Sequence, residues 1–93
     1  MSDMKLIGVV GAGSFGTALA NIIAENYDVL IYARRQEAID NINIRRHNSK
    51  QDIHERVRAT GDIKELTESC TLIFPTVPSA YFRDVLLQMV PYL

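Results

Sequence analysis

Residues 5–20 read Lys5-Leu6-Ile7-Gly8-Val9-Val10-Gly11-Ala12-Gly13-Ser14-Phe15-Gly16-Thr17-Ala18-Leu19-Ala20. Two patterns meet in this stretch. Lys5 to Val10 is a short apolar run with β-branched residues, the mark of a strand buried on both faces. From Ser14 to Asn26, Ala18, Leu19, Ile22 and Ile23 recur at helical spacing, which predicts a helix. Between them lies Gly11-Ala12-Gly13-Ser14-Phe15-Gly16, a GxGxxG loop. Three glycines alone say little. Placed directly after a strand and opening a helix, they match the loop that cradles a pyrophosphate. Gly11 is expected to make the tight turn out of the strand. Gly13 is expected to let the backbone approach the phosphates, and Gly16 to let helix and sheet pack closely. The helix N-terminus then offers free N–H groups and a positive dipole end to the anion. A glycine-rich turn that holds no ligand is the alternative.

The same alternation continues outward. Asp28 to Ala33 predicts a second strand and Gln36 to about Ile44 a second helix, with Ala38, Ile39 and Ile42 on one face. Arg45 to Arg56 reads as a polar, basic loop. Val57 to Thr60 is a brief strand. Asp62 to Ser69 reads as a short helix, with Asp62 and Glu65 at capping-box spacing. Cys70 to Val77 is an apolar strand, and Ser79 to Val90 an amphipathic helix carrying Phe82, Val85, Leu86 and Met89. Strands alternating with helices predict an α/β fold: a Rossmann-type, doubly wound parallel sheet, of which this is the N-terminal four-strand portion. Residues 1–93 are read as one dinucleotide-binding domain with four of the usual six strands, either a fragment or a sheet completed through another chain. Pro75 removes a backbone donor from the fourth strand, so that strand is expected to bulge or end there.

Composition narrows the function classes. The chain has 93 residues, a formal net charge of -1 and 23% charged residues. That balance points to neither nucleic acid nor an anionic membrane as partner. No apolar run is long enough for a membrane span. The single cysteine, Cys70, excludes an internal disulfide, and no Cys/His cluster suggests a metal. A reducing, cytoplasmic setting is expected. Cys70 reads as a small core residue, and His47 and His54 as surface residues.

An NAD-specific fold usually carries an acid at the end of the second strand, on the ribose 2′-hydroxyl. Here that place is Ala33-Arg34-Arg35. A guanidinium can grip a 2′-phosphate through paired hydrogen bonds. The expected cofactor is therefore NADPH, with NADH possible and Arg34 the better candidate. Two solvated surface arginines, one of them paired with Glu37, are the competing reading. Arg45, Arg46, Lys50, Arg56 and Arg58 form either a solvated loop or a flap near the cofactor phosphates.

The continuation Thr17-Ala18-Leu19-Ala20 is more specific than the glycines. Together with Arg34-Arg35, His47-Asn48-Ser49-Lys50, Ala59-Thr60, Asp62 and Val77-Pro78-Ser79, it resembles the NAD(P)-dependent glycerol-3-phosphate dehydrogenases. The resemblance covers essentially the whole chain, but only about the first third of such an enzyme. It implies reduction of dihydroxyacetone phosphate to sn-glycerol 3-phosphate for phospholipid synthesis. It also implies that Ser14, Phe15, Arg34 and Arg35 contact the cofactor and that Val77-Pro78 lies near the nicotinamide. Gln51-Asp52-Ile53 stands where many members have Tyr-Leu-Pro, so no tyrosine contact carries over. By the same likeness the catalytic lysines and the substrate-phosphate site lie beyond Leu93. The chain alone is expected to bind dinucleotide, to catalyse nothing, and to self-associate through its apolar edge. A phosphorylated substrate would need the missing domain. Two other readings stand beside this one: another NADP-dependent hydroxyacid or ketopantoate-type dehydrogenase, and a non-catalytic nucleotide sensor.

Overall fold

A computed structural model describes residues 5–77 and 79–93. Among the described residues, β1 (Leu6–Val10), β2 (Asp28–Tyr32), β5 (Val57–Thr60) and β6 (Leu72–Pro75) form a parallel sheet. Their order across it is β5-β2-β1-β6. Four α-helices connect or flank them: α1 (Ser14–Ile23), α2 (Gln36–Asp40), α3 (Ile63–Ser69) and α4 (Ser79–Met89). A two-stranded antiparallel hairpin, β3 (His47–Asn48) and β4 (Gln51–Asp52), stands apart from the sheet.

β1 lies inside the sheet, with Ile7 beside Val29 on one side and Leu72 on the other. Its residues alternate between two cores. Val9, Val29, Ile31 and Val57 face a cluster with Ala20, Ala24 and Ile42. Val10, Leu30 and Tyr32 face a cluster with Leu66, Val85 and Met89. Apolar contact on both faces is why these strands read as unbroken hydrophobic runs. Fully burying one such side chain contributes about 1.5–3 kcal/mol, so the pair of cores supplies the main driving force.

Helix boundaries shift from the sequence expectation for local reasons. α1 stops at Ile23 rather than Asn26, because the next N–H groups turn back to Ile22 O and Ile23 O. Its buried face is Gly16, Thr17 and Ala20, while Ile22 stays exposed. Small residues win that face because the helix lies close to the sheet. The second helix is α-helical only to Asp40 and continues as a π-helical turn, Asn41–Arg45. It buries Ile42 and ends at Arg46, in the left-handed conformation with φ 59°.

Asp62 caps α3, its Oδ1 accepting from Lys64 N at 2.9 Å. The reciprocal half of the capping box is absent. Glu65 instead accepts from Thr60 Oγ1 at 2.6 Å, and that hydroxyl accepts from Asp62 N at 3.1 Å. The last strand spans only Leu72–Pro75, shorter than the expected Cys70–Val77. It ends at Pro75 and, among the described residues, pairs with β1 alone, so the missing N–H costs no ladder bond there. Pairing with Val10 resumes through Thr76 N, 2.7 Å from Val10 O. α4 ends at Met89 and passes into a 3-10 turn, Val90–Tyr92.

The largest departure lies in residues 45–56, expected as a loop. Within them, residues 47–52 form the β3–β4 hairpin, with His47 opposite Asp52 and Asn48 opposite Gln51. The turn residues Ser49 and Lys50 both take positive φ, 51° and 64°. Two left-handed residues match the twist of a two-residue hairpin, but Ser-Lys carries none of the usual Asn-Gly signal.

Candidate dinucleotide-binding site

The glycine loop leaves β1 at the point where strand order reverses. Gly11 has φ 114°, a conformation that side chains rarely adopt, and its N–H donates to Tyr32 O at 3.0 Å. Gly16 answers a different demand. A Cβ built on it would lie 2.0 Å from Gly11 O and 2.6 Å from Thr76 Oγ1. Helix and loop therefore touch backbone to backbone. At Gly13 a Cβ would meet nothing within 4 Å. The space beside Gly13 is open, as an approaching ligand requires.

Two helix N-termini can be compared. α3 is capped by the Asp62 carboxylate. α1 begins at Gly13 with no side-chain cap and no acidic residue in its first turn. The first N–H groups of a helix have no intrahelical partner. At α1 no side chain occupies the capping position that a phosphate would take.

A cleft of about 370 Å³ opens in front of this loop, and Gly11, Gly13, Arg34, Arg35, Asn48 and Val77 lie among its lining. Ala33 follows the last residue of β2, its N–H donating to Thr60 O at 3.0 Å. That bond directs the next two residues out of the sheet toward the cleft. Arg34 and Arg35 are exposed, and neither forms an ion pair among the described residues. Glu37 lines the same cleft without pairing with them. Ser14 and Phe15 lie just outside the lining, on the first turn of α1, with Phe15 68% exposed. Pro78 lies outside the described residues.

Sequence reasoning passed over two polar side chains. Thr76 Oγ1 donates at the loop's exit, with Val10 O at 2.9 Å and Gly11 O at 3.2 Å as acceptors. Asn48 is buried, and its Nδ2 donates to Ala12 O at 2.9 Å and to Thr17 Oγ1 at 3.0 Å. Asn48 belongs to the His47–Lys50 stretch, so a signal was present without a role attached.

Arg46 is neither a solvated charge nor a phosphate flap. Its guanidinium donates to Ile42 O, Val57 O and His54 O at 2.8, 2.9 and 2.6 Å, and so pins the hairpin's base. His47 is exposed and pairs with Asp52 at 3.0 Å. His54 is half-buried, its Nδ1 accepting from Arg56 N at 3.1 Å. Cys70 sits at the end of α3, ahead of the strand it was expected to begin. Burial first, and the Glu65 carboxylate second, push its thiol up to about 11. It stays protonated near neutral pH and is a poor nucleophile.

A parallel sheet with a glycine turn at its switch point and a bare helix N-terminus behind it defines a Rossmann-type dinucleotide-binding domain. Residues 6–93 match the family described as NAD-dependent glycerol-3-phosphate dehydrogenase N-terminus, and the chain belongs to that family. A glycerol-3-phosphate dehydrogenase of Exiguobacterium sp., named for NAD(P)+, is 40% identical over 87 residues, covering 88% of this chain and 26% of its own. One from Parvibaculum lavamentivorans is 40% identical over 92 residues, covering 94% and 27%. The crystal structure of glycerol-3-phosphate dehydrogenase from Coxiella burnetii superposes with a TM-score of 0.87 at 29% identity, covering 97% of this chain and 29% of that one. The chain thus spans little more than a quarter of the length of the curated relatives it matches.

Proposed function

We propose that the chain holds NADPH in the cleft and is the cofactor-binding portion of an enzyme that reduces dihydroxyacetone phosphate to sn-glycerol 3-phosphate for phospholipid synthesis, in the cytoplasm. The observation that carries the reading is the uncapped start of α1 behind an open Gly13, with Arg34 and Arg35 on the same cleft. Gly11 and Gly16 shape the loop. Gly13, Ser14 and Phe15 present backbone N–H groups to the pyrophosphate. Arg34 and Arg35 take the 2′-phosphate, and Val77 borders the nicotinamide. The bound nicotinamide would supply hydride to the substrate carbonyl carbon. This chain's residues bind and orient, and none is assigned the chemistry. Alone, the chain binds dinucleotide and turns over nothing. Among the described residues no helix is long and apolar enough to cross a membrane.

Parallel calorimetric titrations with NADPH and NADH test the reading. Tighter binding of NADPH supports it. Arg34→Asp should cost NADPH about tenfold or more while sparing NADH, since one charge-assisted pair is worth roughly 1.5–3 kcal/mol. Equal weakening of both would remove the arginine assignment. Absence of binding to either nucleotide by the folded chain would remove the cofactor reading for the isolated domain.

A further inference from the structure

The β3–β4 hairpin touches the glycine loop at more than one place. Asn48 is only 6% exposed, and both hydrogens of its amide are used, toward Ala12 O and Thr17 Oγ1. Its Oδ1 accepts from Asn41 Nδ2 at 3.3 Å, which sets the amide's orientation. Gln51 Nε2 donates to Ser14 O at 3.0 Å. Asn21, on α1, closes the far side: its Nδ2 donates to Asp52 O at 2.8 Å and its Oδ1 accepts from His54 N at 2.9 Å. Arg46 locks the hairpin's base to the carbonyls of Ile42, His54 and Val57.

The two bonded loop carbonyls, those of Ala12 and Ser14, each belong to a planar peptide unit. In a trans peptide the carbonyl and the following N–H point in opposite directions. Holding the Ala12 and Ser14 carbonyls on the hairpin side therefore turns the Gly13 and Phe15 N–H groups away from it. We propose that the β3–β4 hairpin is a clasp that orients these two N–H groups toward the dinucleotide pyrophosphate, with Asn48 as its positioning residue. The proposal rests on the cofactor reading above and deepens it. Asn48 acts through the Ala12 peptide, not through the ligand. The pyrophosphate is common to NADPH and NADH, so the clasp sets affinity for both and leaves the preference between them to the arginines.

Asn48→Asp keeps the side chain's shape and replaces the donating amide with an acceptor facing Ala12 O. Titrated with NADPH and with NADH, the 93-residue variant should lose about tenfold or more in affinity for each, by the same factor, because a buried donor–acceptor pair is broken. The half-buried Gln51→Leu should lose about threefold for each, near the net worth of one hydrogen bond. Amide hydrogen exchange at Gly13 and Phe15 should speed up in both variants. A purely structural role would lower the melting temperature without altering exchange at those two amides or affinity in the folded fraction. Affinities within twofold of wild type, in a folded Asn48→Asp chain, overturn the clasp. If that variant does not fold, unchanged binding and exchange in Gln51→Leu overturn it. If the wild-type chain binds neither nucleotide, the cofactor reading for the isolated domain fails by itself. The clasp is then judged on amide exchange alone, where unchanged rates at Gly13 and Phe15 reject it.

Discussion

The two ends of this sheet region are built on opposite principles. At the glycine loop the carbonyls of Val10, Gly11, Ala12 and Ser14 each accept a hydrogen bond from a side chain of this chain. Those bonds are directional, so the loop's geometry is specified from within. At the β6 edge the surface is apolar. Leu72, Phe74, Phe82 and Leu86 are 53%, 37%, 42% and 43% exposed, and several of these residues border a cavity of about 560 Å³. Hydrophobic attraction is non-directional and scales with area, so that surface favours cover without specifying its form. The smaller cleft, in front of the glycine loop, carries Arg34 and Arg35 among its lining.

Breaking the loop should have the largest effect. Gly16→Ala drives a methyl group into Gly11 O, which cannot move without displacing the turn. Overpacking of this kind costs about 1–3 kcal/mol or more, which lowers the melting temperature of a domain this size by roughly 5–20 °C. Dinucleotide binding should vanish with it. Gly13→Ala makes the contrast sharper. The new methyl group meets open space, and the residue's φ of -78° suits alanine. The melting temperature should stay within a few degrees of wild type while NADPH affinity falls. A Gly13→Ala chain that binds normally would mean that the open space is not where the phosphates lie.

The apolar edge should behave independently. We expect the chain to associate at high concentration through this surface, and Leu86→Asp to shift association by about tenfold in light scattering, since a charge there would be costly to bury. NADPH affinity should not change. Weaker binding in the monomeric variant would couple the two ends and spoil the contrast.

The smallest effect concerns Cys70, which lines the apolar cavity of the β6 edge. Its folded-state thiol is raised from 9.0 to about 11, so the folded chain holds its proton more tightly than the unfolded one. The resulting stability is fully present below pH 9.0 and is lost as pH climbs toward about 11. Urea midpoints measured across that window should fall more steeply for wild type than for Cys70→Ala. Parallel slopes would show that burial does not perturb the thiol.

Much of the fold was legible locally. Three of the four sheet strands were visible as apolar runs and Val57 to Thr60 as a brief strand, and the alternation with helices predicted a parallel sheet. The end of α1 differs where hydrogen bonds override pattern, whereas the fourth strand ends at Pro75, one of the two outcomes expected of that proline. The glycine spacing and the arginine pair pointed to the cleft because both are local: a backbone that needs no side chain, and charges at a strand's end.

The sequence alone determined the strand–glycine–helix unit, the absence of an acid after the second strand, and the apolar stripe of α4. Period, length and spacing encode these within one or two turns of chain. The tertiary structure alone decided that a polar stretch is a hairpin, that Arg46 is a structural pin, and that Asn48 meets Ala12 across 36 residues. An asparagine amide has no preferred partner of its own. Its bonds are chosen by whichever carbonyls the folded topology brings within reach.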